Sequence, residues 1–486
     1  MIDVAVVGAG IGGLSAAALL ARRGARVTVF DQHFLPGGFC TSWERTVAAR
    51  DSRRLRFIFD AGVHDVSGLG PGGGVGQLLD LLGARDRLSW RRVHYLHVLP
   101  GLTFQVPEGW DAFAEALARR FPEERAGIRA LFEELERCID ACIPDGGMLG
   151  FLRGGDAGAS RRRRQSERWL AAPFDALLRT HVKDPTLREI LLRPGRYRTS
   201  RIGALTVAEM APLFGYFRQG GFYPEGGSQA LPDLLVERIR ASGGEVRLST
   251  PVRAIAVEGG RAVGVELDGG ERVAARAVLS NADARRTLLE LLPEGALPPE
   301  MVRRAREVVP STSAFLVFLG LDPAPRLPAS AIFARPERGE GISFWVPPDP
   351  TLATEGRAAA TIIALVPHEE APSWDRRAPG YGERKRALAE RLLDTAEHVV
   401  PDLRSRIVFR EEASPATFAR YAWTSDGAIY GLEVQGWRPP ARLPVSGAYL
   451  AGAGVFPGPG VESAVLSGAL AAAAIAEDLG VPFCFT

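Results

Sequence analysis

The first thirty residues alternate between two hydrophobic periods. "VAVV" is an unbroken β-branched run, the pattern of a strand covered on both faces. "GLSAAALLARRG" then carries apolar residues on every helical turn, and "ARVTVF" returns to an unbroken run, so strand, helix, strand is predicted. Further along, "GWDAFAEALARRFP" and "AGIRALFEELERCIDACI" keep helical spacing, and residues 105–200 read as helices. "LRGGDAGASRRRRQSERWLAAPFDALL" interrupts them with glycines and Arg161 to Arg164, which predicts a solvated loop. "GGEVRLSTPVRAIAVEGGRAVGVEL" reads as strand, turn and hairpin, with "GGR" at the bend. "SAFLVFLGL" and "AAATIIALV" are strand patterns, and "YGERKRALAERLLDTAEHVVPDL" predicts a long helix closing at Pro401. The chain ends on an apolar strand, a Gly/Pro turn and an Ala-rich helix starting near Val461.

The turn after the first strand is the first sign of chemistry. Gly8, Gly10 and Gly13 form GxGxxG, with Gly12 inside it. Gly8 allows a tight turn, Gly10 lets the backbone approach a pyrophosphate, and Gly13 lets helix and sheet pack closely. The helix start directs free amides at phosphate oxygens. Asp31 ends the second strand, where a carboxylate bonds ribose hydroxyls and argues against a 2′-phosphate. A dinucleotide is therefore expected, with FAD and NAD both open. At the far end Gly452 and Gly454 precede a Gly/Pro turn, Gly460 and the closing helix. A helix N-terminus there can stabilise negative charge on the N1–C2=O side of a reduced flavin.

Composition narrows the classes. At 486 residues, two or three domains are expected, and a net charge of +2 gives no basic field for nucleic acid. Lysine occurs only at Lys183 and Lys385. The four cysteines, Cys40, Cys138, Cys142 and Cys484, form no CxxC pair and no zinc spacing, so no metal site is expected. Cys138 and Cys142 are expected as two core thiols sharing a helix face, in a reducing, cytoplasmic setting. No signal peptide is expected before the first strand, and no apolar run approaches the roughly 20 residues of a membrane span. Surface association with a membrane stays open.

Four stretches carry a family resemblance: "GGFCTSWER…FDAGVHDVSG", "YPEGGSQALPDLLVERI", "VLSNAD" and "YLAGAGVFPGPGVESAVLSG". Together they resemble the amine-oxidase and phytoene-desaturase superfamily of flavoproteins, in the branch of phytoene desaturases, carotenoid isomerases and retinol saturases. The resemblance implies an α/β protein whose Rossmann-type FAD-binding domain is assembled from discontinuous segments, with a mixed-sheet substrate domain and a helical cap. The implied FAD-binding segments are 1–84, 221–290 and 431–486. The implied substrate domain spans 85–220, including a cap that touches the membrane in related desaturases, and 291–430.

It also implies FAD as cofactor, a long apolar polyene or isoprenoid as substrate, and cofactor contacts at Gly37, Gly38 and Gly62. Gly62 closes the D-x-G of Asp60, Ala61 and Gly62. Val252 would lie beside the adenine, bonding through its backbone, and Val461 would open the helix facing the ring. "VLSNAD" resembles the strand leading back into the nucleotide domain, ending at Asn281, Ala282 and Asp283.

Two departures bring titratable groups near the expected flavin. Val63-His64 replaces the usual Pro and small polar residue, and Glu462 stands where an apolar residue or Pro is usual. His64 is a candidate acid or base. Glu462 is a candidate catalytic group or a helix cap. Asp65 orients His64 only if the local turn allows. Trp43, Trp423 and Tyr430 are candidates to line a hydrocarbon tunnel. The implied reaction is hydride removal or flavin-assisted cis-trans isomerisation. The alternatives are an amine-oxidase-like flavoenzyme, with a lysine near flavin N5, and a non-catalytic FAD- or lipid-binding protein.

Overall fold

Strands from three distant parts of the chain build the first sheet. In the computed structural model, which describes residues 1–48, 53–337, 340–433 and 436–483, five of them run parallel. Their order is Glu245–Arg247, Val27–Phe30, Ile2–Val7, Arg272–Ser280 and Ala448–Leu450. The unbroken β-branched runs are the buried strands: all of Val27–Phe30 and the last four residues of Ile2–Val7 are buried. The hairpin of Val252–Glu258 and Arg261–Leu267 bends between them as the spacing predicts, and it extends the sheet antiparallel from Arg272.

The opening helix (Ile11–Arg22) and the closing helix (Val461–Leu479) pack on one another over this sheet. Small residues make the approach possible. A Cβ at Gly468 would stand 2.2 Å from the Gly12 carbonyl oxygen, and Ala16, Ala17, Ala469 and Ala472 are fully buried. The Ala-rich tail is thus an interior helix. Among the described residues no helix is long and apolar enough to cross a membrane.

The second sheet is mixed, in the order Ile407–Ala413, Ser313–Leu321, Ala358–Val366, Ile342–Trp345, Ala331–Ala334, Tyr95–Leu99 and Leu102–Gln105. All its pairings are antiparallel except Ala331–Ala334 with Tyr95–Leu99. The helix Tyr381–Ala396 covers it with Leu388, Leu392 and Leu393. This helix stops short of Pro401, and Val399 and Val400 follow in turns.

Helices Trp110–Arg120, Arg125–Cys142, Gly147–Ala171, Phe174–His181 and Pro185–Leu192 form the cap. The loop expected at Arg161 to Arg164 is not there: these residues lie inside the helix Gly147–Ala171. Arginine is a good helix former, and Phe151, Ser166 and Trp169 anchor one face in the core. Trp169 Nε1 also donates to Glu134 Oε1 at 2.6 Å. Tertiary burial therefore overrides the glycines. Cys484 lies outside the described residues.

Candidate active site

A cavity of about 1490 Å³ opens at the carboxyl ends of the parallel strands, where ligands bind in open α/β sheets. Gly8, Gly10, Gly12, Asp31, Gly37, Gly38, Gly62, Val252, Gly452, Gly454, Gly460 and Val461 all line it. Gly13 does not line it. A Cβ there would stand 2.4 Å from the Gly8 carbonyl oxygen, so Gly13 lets the helix close onto the turn.

Three of these glycines converge on Asn281. Side chains at Gly10, Gly12 and Gly452 would put a Cβ within 2.5, 2.6 and 2.7 Å of its amide. Asn281 Oδ1 is itself buried without a partner. The result is a concave floor of backbone amides at a helix start, a shape suited to a pyrophosphate. Asp31 braces the rim: Oδ2 accepts the Ala9 amide at 2.6 Å and Oδ1 the His33 amide at 2.7 Å. Burial pushes its carboxyl above the usual range, and each oxygen keeps a lone pair for a hydroxyl. Gly37 donates its amide to the Ala9 carbonyl at 2.7 Å, which pins the second loop against the first.

Beyond this floor the cavity becomes aromatic. His64 stands edge-on to Trp345, with ring centroids 5.5 Å apart, and both line the wall. A backbone bond at Gly62 holds the imidazole, Nε2 has no partner, and burial lowers the group to about 4. Asp65 does not orient His64. Its Oδ2 accepts from Tyr95 at 2.7 Å and from Tyr197 at 3.1 Å, and burial raises the carboxyl to about 6. Asp60 likewise faces inward, accepting from Tyr223, Ser42 and the Ser228 amide. It ties the loop before the helix Ala230–Ala241 to the hairpin Ser42–Asp60.

Glu462 reaches across to another helix. Its Oε2 accepts the Ser67 hydroxyl at 2.7 Å, and Oε1 accepts the Gly74 amide at 2.9 Å, at the start of helix Gly74–Leu81. Trp423 and Tyr430 line the cavity, and Tyr430 donates to the Arg196 carbonyl at 3.3 Å. Trp43 is turned away, packed on Phe59 and Phe318. Of Cys138 and Cys142, the first is a core thiol while the second is half-buried and faces the cavity, with the two Sγ atoms 3.9 Å apart.

The model of the flavin-containing amine oxidoreductase family matches residues 11–476. The chain belongs to that family. Its members bind flavin, and the glycine floor, the orphaned Asn281 and the long cavity fit such a group. This member is an oxidoreductase. It is 27% identical to the chloroplastic prolycopene isomerase of Daucus carota, covering 99% of this chain and 80% of the carrot protein. It is 27% identical to the lycopene-forming phytoene desaturase of a Paracoccus species, covering 98% of this chain and 97% of that one. An oxidoreductase from Methanosarcina mazei shares the fold at a TM-score of 0.69 and 19% identity, covering 96% of this chain and 99% of that chain.

Sequence reasoning missed Trp345, the tyrosines on Asp65, and several arginines in the wall, among them Arg193, Arg196, Arg198 and Arg438. Three of them sit in "RPGRYR", a cationic run directly after an apolar helix. That abrupt change was the available signal.

Proposed function

We propose that the cavity holds FAD and that the chain acts on a long apolar polyene or isoprenoid, as a carotenoid desaturase or isomerase does. One observation carries this reading: the nucleotide floor and a largely hydrophobic chamber are a single continuous space. Ligand sites commonly measure about 300–1,000 Å³; at about 1490 Å³ this one has room for a cofactor and a second long molecule. Leu316, Phe333, Phe344, Ile363 and Leu365 line the far part and offer no hydrogen bonds.

Gly10 and Gly12 with Gly452 would cradle the pyrophosphate, Asp31 the ribose, and Val252 the adenine. When bound, FAD supplies a hydride acceptor or, when reduced, an electron-rich surface for a polyene. The apolar walls keep water from the reacting chain. His64 Nε2, unpartnered and neutral at pH 7, is placed to take or return a proton. Glu462, with both oxygens engaged, is read as a clamp.

The amine-oxidase alternative expects a lysine at the ring. Lys183 and Lys385 are absent from the described lining residues, which favours the polyene. At one end Ile143, Leu170 and Phe456 both line the cavity and are 39%, 44% and 57% exposed, beside Arg162 and Arg163. An apolar rim with adjacent cations suits surface contact with an anionic membrane.

The test is an anaerobic absorption spectrum of FAD-reconstituted protein. Dithionite is added to one sample, and a cis-lycopene or a more saturated carotene to each. Conversion of cis-lycopene only after reduction supports isomerisation, and bleaching of the oxidised flavin by the more saturated carotene supports desaturation. No conversion of any polyene by flavin-loaded protein would sink the reading.

A further inference from the structure

Arg198 and Arg438 are half-buried guanidinium groups that line the cavity without ordinary ion-pair partners. Arg438 donates to two backbone carbonyls, Ala453 at 3.1 Å and Leu432 at 3.4 Å. Arg198 Nε is buried with no partner, and its Nη2 would lie 3.2 Å from a Cβ at Gly458. Among the described residues neither has a carboxylate within 4 Å. Glu209 and Glu433 act on both through space, but Glu209 Oε2 is held by Thr206 in a capping box. Burial lowers both arginines, Arg438 to about 10, where Arg198 adds repulsion.

Glu209 and Glu433 offset part of this charge from beyond ion-pair distance, and an anion bound in direct contact would offset the rest. Their position says which anion. The pyrophosphate floor lies at Gly10, Gly12 and Gly452. Arg438 touches the chain at Ala453, and Arg198 touches it at Gly458, three residues before the closing helix begins. Following the chain from the floor to that helix start, both arginines flank the segment beyond the phosphates. Glu462, the acid in the first turn of the helix, does not cancel them, because it is turned onto Ser67 and Gly74.

We infer that Arg198 and Arg438, together with the start of the closing helix, form the subsite for the pyrimidine edge of the flavin ring. There they favour the extra negative charge that the ring carries when reduced. This deepens the proposed function and rests on its placement of FAD, not on its choice of substrate. Such a subsite binds the reduced cofactor more tightly than the oxidised one, which raises the reduction potential.

The experiment is a redox titration of FAD-loaded Arg198→Gln, Arg438→Gln and Arg198→Lys, together with sulfite binding to the oxidised flavin. Neither readout needs a polyene. Each Gln variant should lose about tenfold in the preference for reduced over oxidised FAD, which lowers the potential by about 30 mV for a two-electron couple. Sulfite affinity should fall in parallel, and Arg198→Lys should recover most of both. Unchanged potential and sulfite affinity in flavin-loaded Gln variants would overturn the inference. Equal weakening of oxidised and reduced FAD would also overturn it, since the arginines would then serve the phosphates. A wild-type protein that binds no FAD would sink the cofactor reading itself. A wild type that loads FAD but converts no polyene would sink only the substrate reading.

Discussion

His64 and Asp65 are adjacent in sequence, and burial drives their protons in opposite directions. Between about pH 4 and 6 the folded protein keeps a proton on Asp65 that the unfolded chain has released, so stability falls as pH rises. Between about pH 4 and 6.5 the unfolded chain binds a proton at His64 that the folded protein refuses, so stability rises with pH. The two slopes oppose each other across most of that window. We expect Asp65→Asn to make stability rise more steeply with pH than in wild type from about pH 4 to 6, and His64→Gln to lower the slope relative to wild type from about pH 4 to 6.5. Each difference should amount to about 3 kcal/mol at about 1.4 kcal/mol per pKa unit. Denaturant titrations across that range check it, with parallel wild-type and variant curves as the contrary result. His97, lowered to about 3 by burial, contributes to all three proteins and drops out of the comparison. Neither partner of Asp65 was legible in "VHDVSG", because Tyr95 and Tyr197 lie 30 and 132 positions away. The glycine turn and Asp31 were legible because the GxGxxG spacing and the amides that Asp31 accepts are local, although Asn281 beneath the turn is not.

Single contacts govern how whole elements meet. The opening and closing helices touch at Gly468 and Gly12, so Gly468→Val forces a side chain into a backbone oxygen. Overpacking of this kind costs about 1–3 kcal/mol, and flavin retention should weaken with it because the glycine floor moves; thermal melting with and without FAD checks both. Glu462 joins two helix starts through one carboxylate. Glu462→Ala should cost about 1.5–3 kcal/mol, the range for hydrogen bonds to a charged group. It should also raise amide exchange at Gly74. Loss of activity without either change would return Glu462 to the list of catalytic groups. Hydrophobic period found the strands of the first sheet, the strands Ser313–Leu321 and Ala358–Val366, and the cap helices Trp110–Arg120 and Arg125–Cys142. It failed at Arg161 to Arg164 because a glycine- and arginine-rich run shows no period, and the anchors that make it helical, Phe151 and Trp169, flank it. It also could not tell that Trp43 faces Phe59 and Phe318, since the face a strand residue takes depends on its sheet partners.

At the scale of the molecule, the cavity mouth and the cap act together. Replacing Leu170 and Phe456 with Asp should reduce binding to phosphatidylglycerol vesicles at least tenfold and slow conversion of vesicle-borne polyene more than that of detergent-solubilised polyene. Vesicle co-sedimentation checks the first point, and unchanged sedimentation would remove the membrane from the account. The first sheet carries a different consequence. Its parallel core needs Ala448–Leu450 beside Arg272–Ser280, and its helix layer needs Val461–Leu479 against Ile11–Arg22. A chain still being translated has its glycine turn early but lacks the other half of the floor until its last strand and helix emerge. Cofactor capture should therefore wait until the segment from Ala448 onward has emerged, and a ribosome-bound nascent chain stalled before residue 448 should leave the flavin in solution.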